Sequence, residues 1–495
     1  MKILVGEQIK KLDRYTIEHE PVESIDLMER ASEAMAQIVA QKTDGEKLLV
    51  FVIGKGNNGG DGLAMARILS HAGMECYVIM ASPLDELSED CRYNFDRLPE
   101  EVKLIDAIPP LCEEYEIVVV DALLGSGMRG KPAGEYKEWI DKINDCGHYV
   151  ISIDLPSGMK TEFGNDPDFV VHADLTLTIQ FPKLAMLLPE AGECCGEVEV
   201  VPIGLDEEFV ENVSTPYAYV TSDLICDFIK QRPKFSHKGT YGHTLLVCGS
   251  EGMFGAAVLA TNAALRSGCG LVTTHVPHNG GISINCNAPS AIVSLDPAGY
   301  FSKLPSDLDK YTSVGVGCGL GQSRCTTKAL KKLLKRSRCG IVLDADALNI
   351  ISRNPEFQNL IPSGSVLTPH PGELKRLVGE WSGESDKIER ASGLAVKLGA
   401  VVVVKGACSM ICMPDGRVYF NSTGTSGMAK GGSGDVLTGL LAGLMARGYG
   451  AEEASLLGVY VHGMAGEKAA DYYGKEAMNS SDIIDFIGDA FGEMY

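Results

Sequence analysis

Residues 47–69, KLLVFVIGKGNNGGDGLAMARIL, set a β-branched apolar run against a glycine-rich turn and then a helical pattern. A strand with so little alternation of apolar and polar residues belongs inside a parallel sheet, where helices cover both faces. Glycines in the turn let backbone amides approach a phosphate at the start of the helix, where the dipole favours an anion. Gly54, Gly56 and Gly59 satisfy GxGxxG between a strand and a helix. The acid that a dinucleotide-dependent dehydrogenase places at the tip of its next strand is missing, because that strand, 75–82, runs into Ala81, Ser82 and Pro83. Asp61 inside the loop would repel an anionic ligand, so the pattern predicts a cation or a proton donor close by.

The same unit recurs along the chain. Strands are expected at 47–54, 75–82, 116–121, 148–154 and 173–180 in the first half, and at 243–250, 271–277, 313–317, 340–346, 365–373 and 400–406 in the second. Helical patterns separate them, so both halves are α/β. Between 205 and 240 the pattern lapses into a polar, proline-containing stretch, which puts a domain boundary near residue 213 and divides the chain into 1–212 and 213–495. Two domains also suit 495 residues, too many for one ordinary core.

A net charge of −22 argues against a nucleic acid or an acidic membrane as partner, since either is bound through surplus lysine and arginine. The start, MKILVGEQIKKLDRYT, is charged too early for a signal peptide, and no apolar run approaches bilayer-spanning length, which makes the cytoplasm the expected location. Fifteen cysteines, an odd number scattered through apolar segments, suggest reduced core thiols. No cysteine or histidine cluster has metal-ligand spacing, and Cys194 and Cys195 sit in a glycine-flanked turn.

Asp121 closes the strand at 116–121 and Asp154 the one at 148–154, each before a glycine- or proline-containing loop. Carboxyl ends of neighbouring parallel strands share one crevice. There Asn58, Asp121 and Ser157 offer hard oxygen ligands to a cation, and the amides of residues 125–130 could cradle an anionic group. Each aspartate alone could equally cap a turn; three loops agreeing at one edge favour a site. The segments GNNGGDG (56–62), DALLGSGMRGK (121–131) and IDLPSG (153–158) resemble the NAD(P)H-hydrate epimerase, or YjeF N-terminal, family. The resemblance implies a Rossmann-like three-layer α/β/α domain that interconverts the R and S forms of hydrated NADH and NADPH. It implies that Asn57, Asn58, Gly59, Gly60, Asp61, Gly125, Ser126, Gly127, Met128, Arg129, Gly130, Lys131 and Asp154 contact the hydrated nucleotide. Asn58, Asp121 and Ser157 would hold potassium, and Asp154 is the candidate acid or base. A strand-end carboxylate suits proton transfer and simple hydrogen bonding alike, so its role stays open.

In the second half, NSTGTSGMAKGGSGDVLTGLLAGLMARG (421–448) delivers glycines to the start of a helix with Asp435 in its first turn. Free amides there make an anion hole, and a carboxylate beside them should stay ionised as a base for a hydroxyl attacking a phosphoryl group. An aspartate merely capping its helix is the plainer alternative. GxxxxGK[ST] is absent, and GxGD near the C-terminal end fits a ribokinase-like α/β fold instead. SEGMFGAAVLATNAALRSGCGLV (250–272), GVGCGLG (315–321), LDADALN (343–349), TPHPGE (368–373) and VVKGACS (403–409) together resemble the NAD(P)H-hydrate dehydratase, or YjeF C-terminal, family. That resemblance implies Ala256, Gly319, His370 and Asp435 at the hydrated substrate. It places Lys405, Gly406, Ala407, Cys408, Ser409 and Gly434 at ADP or ATP, with Mg2+ on the phosphates. Taken alone, His370 could be a structural turn histidine and Lys405 could reach for solvent. Cys318 stands where the family has proline and Ser409 where threonine is common; the serine keeps its hydroxyl and the cysteine loosens a turn, so nucleotide affinity is the property these changes put in question.

The implied function is bifunctional repair: epimerisation of hydrated NADH and NADPH, and nucleotide-dependent dehydration of the S form. Small molecules are the expected partners, and an assembly of identical chains is expected. Two other readings remain, a ribokinase-like kinase of a small alcohol with a regulatory first half, and a first half that only senses nucleotides.

Overall fold

Every residue from Leu48 to Ile53 is buried, as a strand covered on both faces requires. The computed structural model describes residues 1–20, 22–43, 47–111, 116–128 and 130–494. These form two compact units, residues 2–215 and residues 216 onward together with Met1.

In the first unit the strands are β1 (Leu48–Ile53), β2 (Cys76–Met80), β3 (Lys103–Leu104), β4 (Ile117–Ala122), β5 (Tyr149–Ile153), β6 (Leu175–Ile179) and β7 (Glu197–Val201). They make one parallel sheet in the order β3-β2-β1-β4-β5-β6-β7. Alternate residues of β1 serve opposite layers. Leu49, Phe51 and Ile53 pack with Leu27, Met35 and Leu63 from helices Ser24–Lys42 and Asn57–His71. Leu48, Val50 and Val52 pack with Ile140 and Ile143 of helix Glu135–Asn144. The result is the expected three-layer α/β/α arrangement. Sequence order along the sheet reverses between β1 and β4, whose register pairs Val52 with Asp121 and Ile53 with Ala122. The loops leaving these two strands therefore start level, at the crevice where such sheets bind ligands. Gly54 is needed there, since a methyl on it would lie 1.8 Å from the Leu123 carbonyl oxygen. The strands β3 and β7 were not expected: β3 is two exposed residues, and β7 alternates glutamate with valine as a half-buried edge does.

The second unit carries β8 (Tyr217–Tyr219), β9 (His243–Val247), β10 (Leu271–Pro277), β11 (Ile292–Asp296), β12 (Ser313–Val316), β13 (Ile341–Leu343), β14 (Val366–Leu367), β15 (Val401–Val404), β16 (Met410–Cys412) and β17 (Val418–Phe420). Their order is β11-β10-β9-β12-β13-β14-β15-β16-β17-β8, parallel from β11 to β15, with β16 antiparallel to both its neighbours. Order reverses between β9 and β12. Helix Ser433–Ala446 is buried from Val436 onward and lies tight against helix Phe254–Arg266. A methyl on Gly439 would fall 2.0 Å from the Ala260 carbonyl oxygen, so only glycine permits this approach. The short strands β8, β11, β16 and β17 escaped the sequence reading.

No described helix is long and apolar enough to cross a membrane. Every described cysteine is free.

Candidate active sites

At the reversal point of the first sheet lies a cavity of about 590 Å³. Asn57, Asn58 and Asp61 reach it from the first turn of helix Asn57–His71, Gly125, Ser126, Gly127 and Met128 from the loop after β4, and Asp154 from the end of β5. Asp154 has a left-handed backbone (φ 63°), uncommon outside glycine, which turns the chain sharply after the strand. Its amide donates to the Leu177 carbonyl at 2.8 Å. Its carboxylate accepts from the Ile179 amide at 3.3 Å and from the Lys183 ammonium. Lys183, only 3% exposed in its side chain, also donates to Thr178 Oγ1 at 2.9 Å and to the Ile179 carbonyl at 3.1 Å. All three of its hydrogens are thus engaged, and removing either member of so buried a pair typically costs about 3–5 kcal/mol.

Lys183, the buried cation among the lysines described at this cavity, pairs with Asp154 and not with Asp61, near which a positive group was expected. At Asp61, burial, then the carboxylates of Asp154, Asp13 and Asp90, push the carboxyl well above the ordinary range.

Asp121 and Ser157 are fully buried. The Asp121 carboxylate accepts from Ser157 Oγ at 2.5 Å, from the Ser157 amide and Ser152 Oγ at 2.8 Å, and from the Leu123 amide at 3.3 Å. Burial pushes this carboxyl up and those hydrogen bonds pull it back. Asn58, beside Gly125, keeps both side-chain polar atoms buried and without a partner. A buried amide oxygen of this kind can accept a hydrogen bond from a ligand or coordinate a cation.

Other candidates stand apart from the cavity. Gly59 and Gly60 are buried in the helix, where a methyl on Gly59 would meet the Gly54 carbonyl oxygen at 2.0 Å, so they serve close packing. Lys131 pairs with Asp166 at 2.6 Å over the Phe169 ring, and Gly130 adopts a positive φ of 82° in an exposed turn. Arg129 lies outside the described residues.

In the second unit the motif segments meet in a chain of contacts. Gly319, after β12, is so close to helix Phe254–Arg266 that a methyl on it would lie 3.2 Å from the Ala256 methyl. Its neighbour Cys318 is fully buried and lies close enough to Asp435 to lower that carboxyl. Asp435 occupies the first turn of its helix, as expected, but the dipole does not keep its carboxyl low. Burial first, opposed by Cys318 and aided by Asp344, raises it to about 6 despite the attraction of Lys405. It is still mostly ionised above neutral pH. Cys318 therefore bears on the Asp435 carboxyl as well as on the turn it occupies.

Lys405, at the end of β15, does not reach for solvent. Its ammonium meets Asp344 Oδ1 at 2.8 Å, and Asp344 Oδ2 accepts from Thr438 Oγ1 at 2.9 Å. Burial works against its charge, but attraction and hydrogen bonding from Asp344 outweigh it and hold it protonated. A methyl on Gly434 would sit 3.2 Å from Lys405 Nζ, so this cation lies against the glycine turn of the Asp435 helix. Gly406, Ala407, Cys408 and Ser409 form the turn joining β15 to β16, with Ser409 Oγ bonded to the Gly406 carbonyl at 3.1 Å. His370 caps helix Pro371–Val378, accepting from the Gly372 amide at 3.0 Å, and half of its side chain is exposed. The Lys405 amide donates to the Pro369 carbonyl at 3.0 Å, which draws His370 and Lys405 into neighbouring strand ends.

Two family models match the chain: one described as YjeF-related protein N-terminus over residues 24–185, and one described as NAD(P)H-hydrate dehydratase over residues 244–488. A bifunctional NAD(P)H-hydrate repair enzyme of Moorella thermoacetica is 35% identical over 98% of this chain and 96% of that protein. The chain belongs to this family of bifunctional NAD(P)H-hydrate repair enzymes. The member from Coxiella burnetii is 34% identical over 96% of both chains. A crystal structure of a ribokinase-like superfamily protein from Enterococcus faecalis has a TM-score of 0.51 at 25% identity, covering 57% of this chain and 98% of its own.

Against this repair-enzyme background, three groups have no counterpart among the expected site residues: Lys183, Asp344 and the cavity-lining Asp13. Lys183 stands in the apolar run FPKLAMLL, and a lone charge in such a run signals a buried partner. Asp344 sits in LDADALN but was not singled out, although its strand-end position is that of Asp121 and Asp154.

Proposed function

We propose that residues 1–212 epimerise the R and S forms of hydrated NADH and NADPH, and that residues 213–495 dehydrate the S form at the expense of ADP or ATP. The observation that carries this reading is the meeting of Lys405, Gly434 and Asp435: a cation, an anion hole and a base at one helix start. Asp435 takes the proton from the ring hydroxyl as that oxygen attacks the terminal phosphorus, while Lys405 and the amides around Gly434 stabilise the charge on the transferred group. Phosphate then leaves with the oxygen as the ring nitrogen lone pair forms the C6=N1 bond, and loss of a proton from C5 to solvent forms C5=C6 and returns the pair to N1, which restores the dihydronicotinamide with AMP or ADP as co-product. Mg2+ enters with the nucleotide and neutralises its phosphates. His370 and the Ala256–Gly319 contact border the hydrated substrate, and residues 405–409 the nucleotide.

In the first half, Asn57, Asn58, Asp61 and the loop 125–128 would hold the nucleotide phosphates and ribose. Asn58, Asp121 and Ser157 would hold K+; the unpartnered Asn58 amide and the buried Asp121 carboxylate support this assignment, and the ion would supply a fixed positive charge there. A cytoplasmic enzyme with free thiols, assembling with copies of itself, completes the reading.

The test is product identity. The S-hydrate incubated with ADP or ATP and Mg2+ should yield reduced nicotinamide and phosphate in equal amounts. A stable phosphorylated product would make the second half a small-molecule kinase.

A further inference from the structure

Helix Gly6–His19 forms one wall of the first cavity, although it precedes the residues that the N-terminal family model matches. Ile9, Asp13 and Ile17 are spaced four apart, so they share one helix face, and all three line the cavity. Ile9 and Ile17 also pack against the core, whereas the carboxyl between them is only partly exposed and faces the cavity. Among the described residues no hydrogen-bond donor or salt-bridge cation reaches it. The same cavity contains Asp154, bound to Lys183, and the unpartnered Asn58 amide, which is 8% exposed.

We propose that Asp13 is the proton donor of the epimerase half, acting together with Asp154, to which the Lys183 ammonium is bonded. This rests on the epimerase reading above and names the groups that move protons within it. Epimerisation at C6 of the hydrated ring requires the C–O bond to break and to form again on the other face. The Asp13 proton goes to the leaving hydroxyl, the C6–O bond breaks, water departs and the N1 lone pair forms the C6=N1 bond. Water then adds to the opposite face of C6, N1 recovers its pair, and the added water gives a proton to Asp154. Solvent returns that proton to Asp13, and nothing is oxidised or reduced.

The environments divide the labour among the carboxyls, as acid and base roles require. Asp154 has a bonded ammonium and Asp13 has none. Burial first, then the Asp154 carboxylate, lift Asp13 to about 6, with Lys183 pulling the other way. Asp61, also raised by burial and by the carboxylates of Asp154 and Asp13, stands on the helix opposite, in the glycine loop. Lys10, Lys55 and Tyr136 are the other titratable groups lining the cavity, and Lys55 is engaged by Glu86 at 2.8 Å.

The test follows R-to-S conversion without nucleotide, by chromatography from about pH 5 to about pH 8, corrected for the uncatalysed rate. The unmodified chain should slow as pH rises through about 6, because the acid loses its proton. Asp13→Asn should lower kcat by about 10²-fold or more, with KM little changed, and should lose that pH limb. An Asp13→Asn chain within about threefold of the unmodified rate, or one that keeps the limb, overturns the proposal. If Asp13→Asn fails to fold, Asp13→Glu carries the test: partial activity with a displaced limb supports the assignment, and an unmoved limb contradicts it. An unmodified chain that converts no R form overturns the epimerase reading and this inference with it.

Discussion

Asp435 illustrates how one residue's surroundings set both a rate and a stability. Its carboxyl is raised to about 6, so dehydration should fall as pH drops through that value, with the limb absent from epimerisation. Asp435→Asn should reduce dehydration by about 10²–10⁴-fold, read from the reappearance of reduced nicotinamide. The same shift bears on folding. The folded chain holds this proton more tightly than the unfolded one, so ionisation between about 4 and about 6 withdraws stability as pH rises. Asp435→Asn should therefore stabilise its unit by up to about 2 kcal/mol above pH 7 and by nothing below about pH 4, measurable in urea. A variant less stable at both values would show that the carboxylate also holds the loop together. Asn58 offers a second check at this scale: with its amide oxygen removed in Asn58→Ala, epimerisation should lose any dependence on K+, while dehydration keeps its rate. At this scale the sequence exposed the residues inside glycine loops, because such loops have few other uses. Lys183, Asp344 and Asp13 were hidden, since an isolated charge in a strand end or helix reads as solvated until its burial is seen.

Among the elements, the interior parallel strands were legible, the two-residue β14 included, and the edge strands and the β16–β17 hairpin were not. A run such as Leu48–Ile53 is buried throughout, whereas β16 and β17 are three residues each and β3 only two. Their pairing comes from neighbours, and no local period announces it. The closest helix contact was equally silent. Helix Ser433–Ala446 brings Asp435 to its place only because Gly439 allows its backbone onto Ala260, and Gly443 onto Ser267, where a methyl would fall 2.0 Å from Oγ. Gly439→Ala should destabilise the second unit by about 1–3 kcal/mol or more and slow dehydration by shifting the Asp435 turn, read from urea unfolding and from kcat. An unchanged midpoint would mean that the helices separate at no cost.

For the whole molecule, the two sheets have separate strands and separate cores, and each reverses its strand order beside its own candidate site. The alternation of strand and helix announced this architecture in the sequence, because parallel strands demand crossover helices whatever the chemistry they carry. The two activities should therefore be separable: Asp435→Asn should keep epimerisation within about twofold, and residues 216–495 produced alone should still dehydrate the S-hydrate. Loss of both activities in a folded Asp435→Asn chain would contradict that independence.

One chain should return both epimers of hydrated NADH to use. The most direct measurement gives the full chain an equal mixture of R and S hydrates with ADP or ATP, Mg2+ and K+, and follows the absorbance of reduced nicotinamide to its end point. Complete recovery, with one nucleotide consumed per molecule repaired, is the expected result. Recovery that stops at the S fraction, with the R form left over beyond its slow spontaneous conversion, would contradict it.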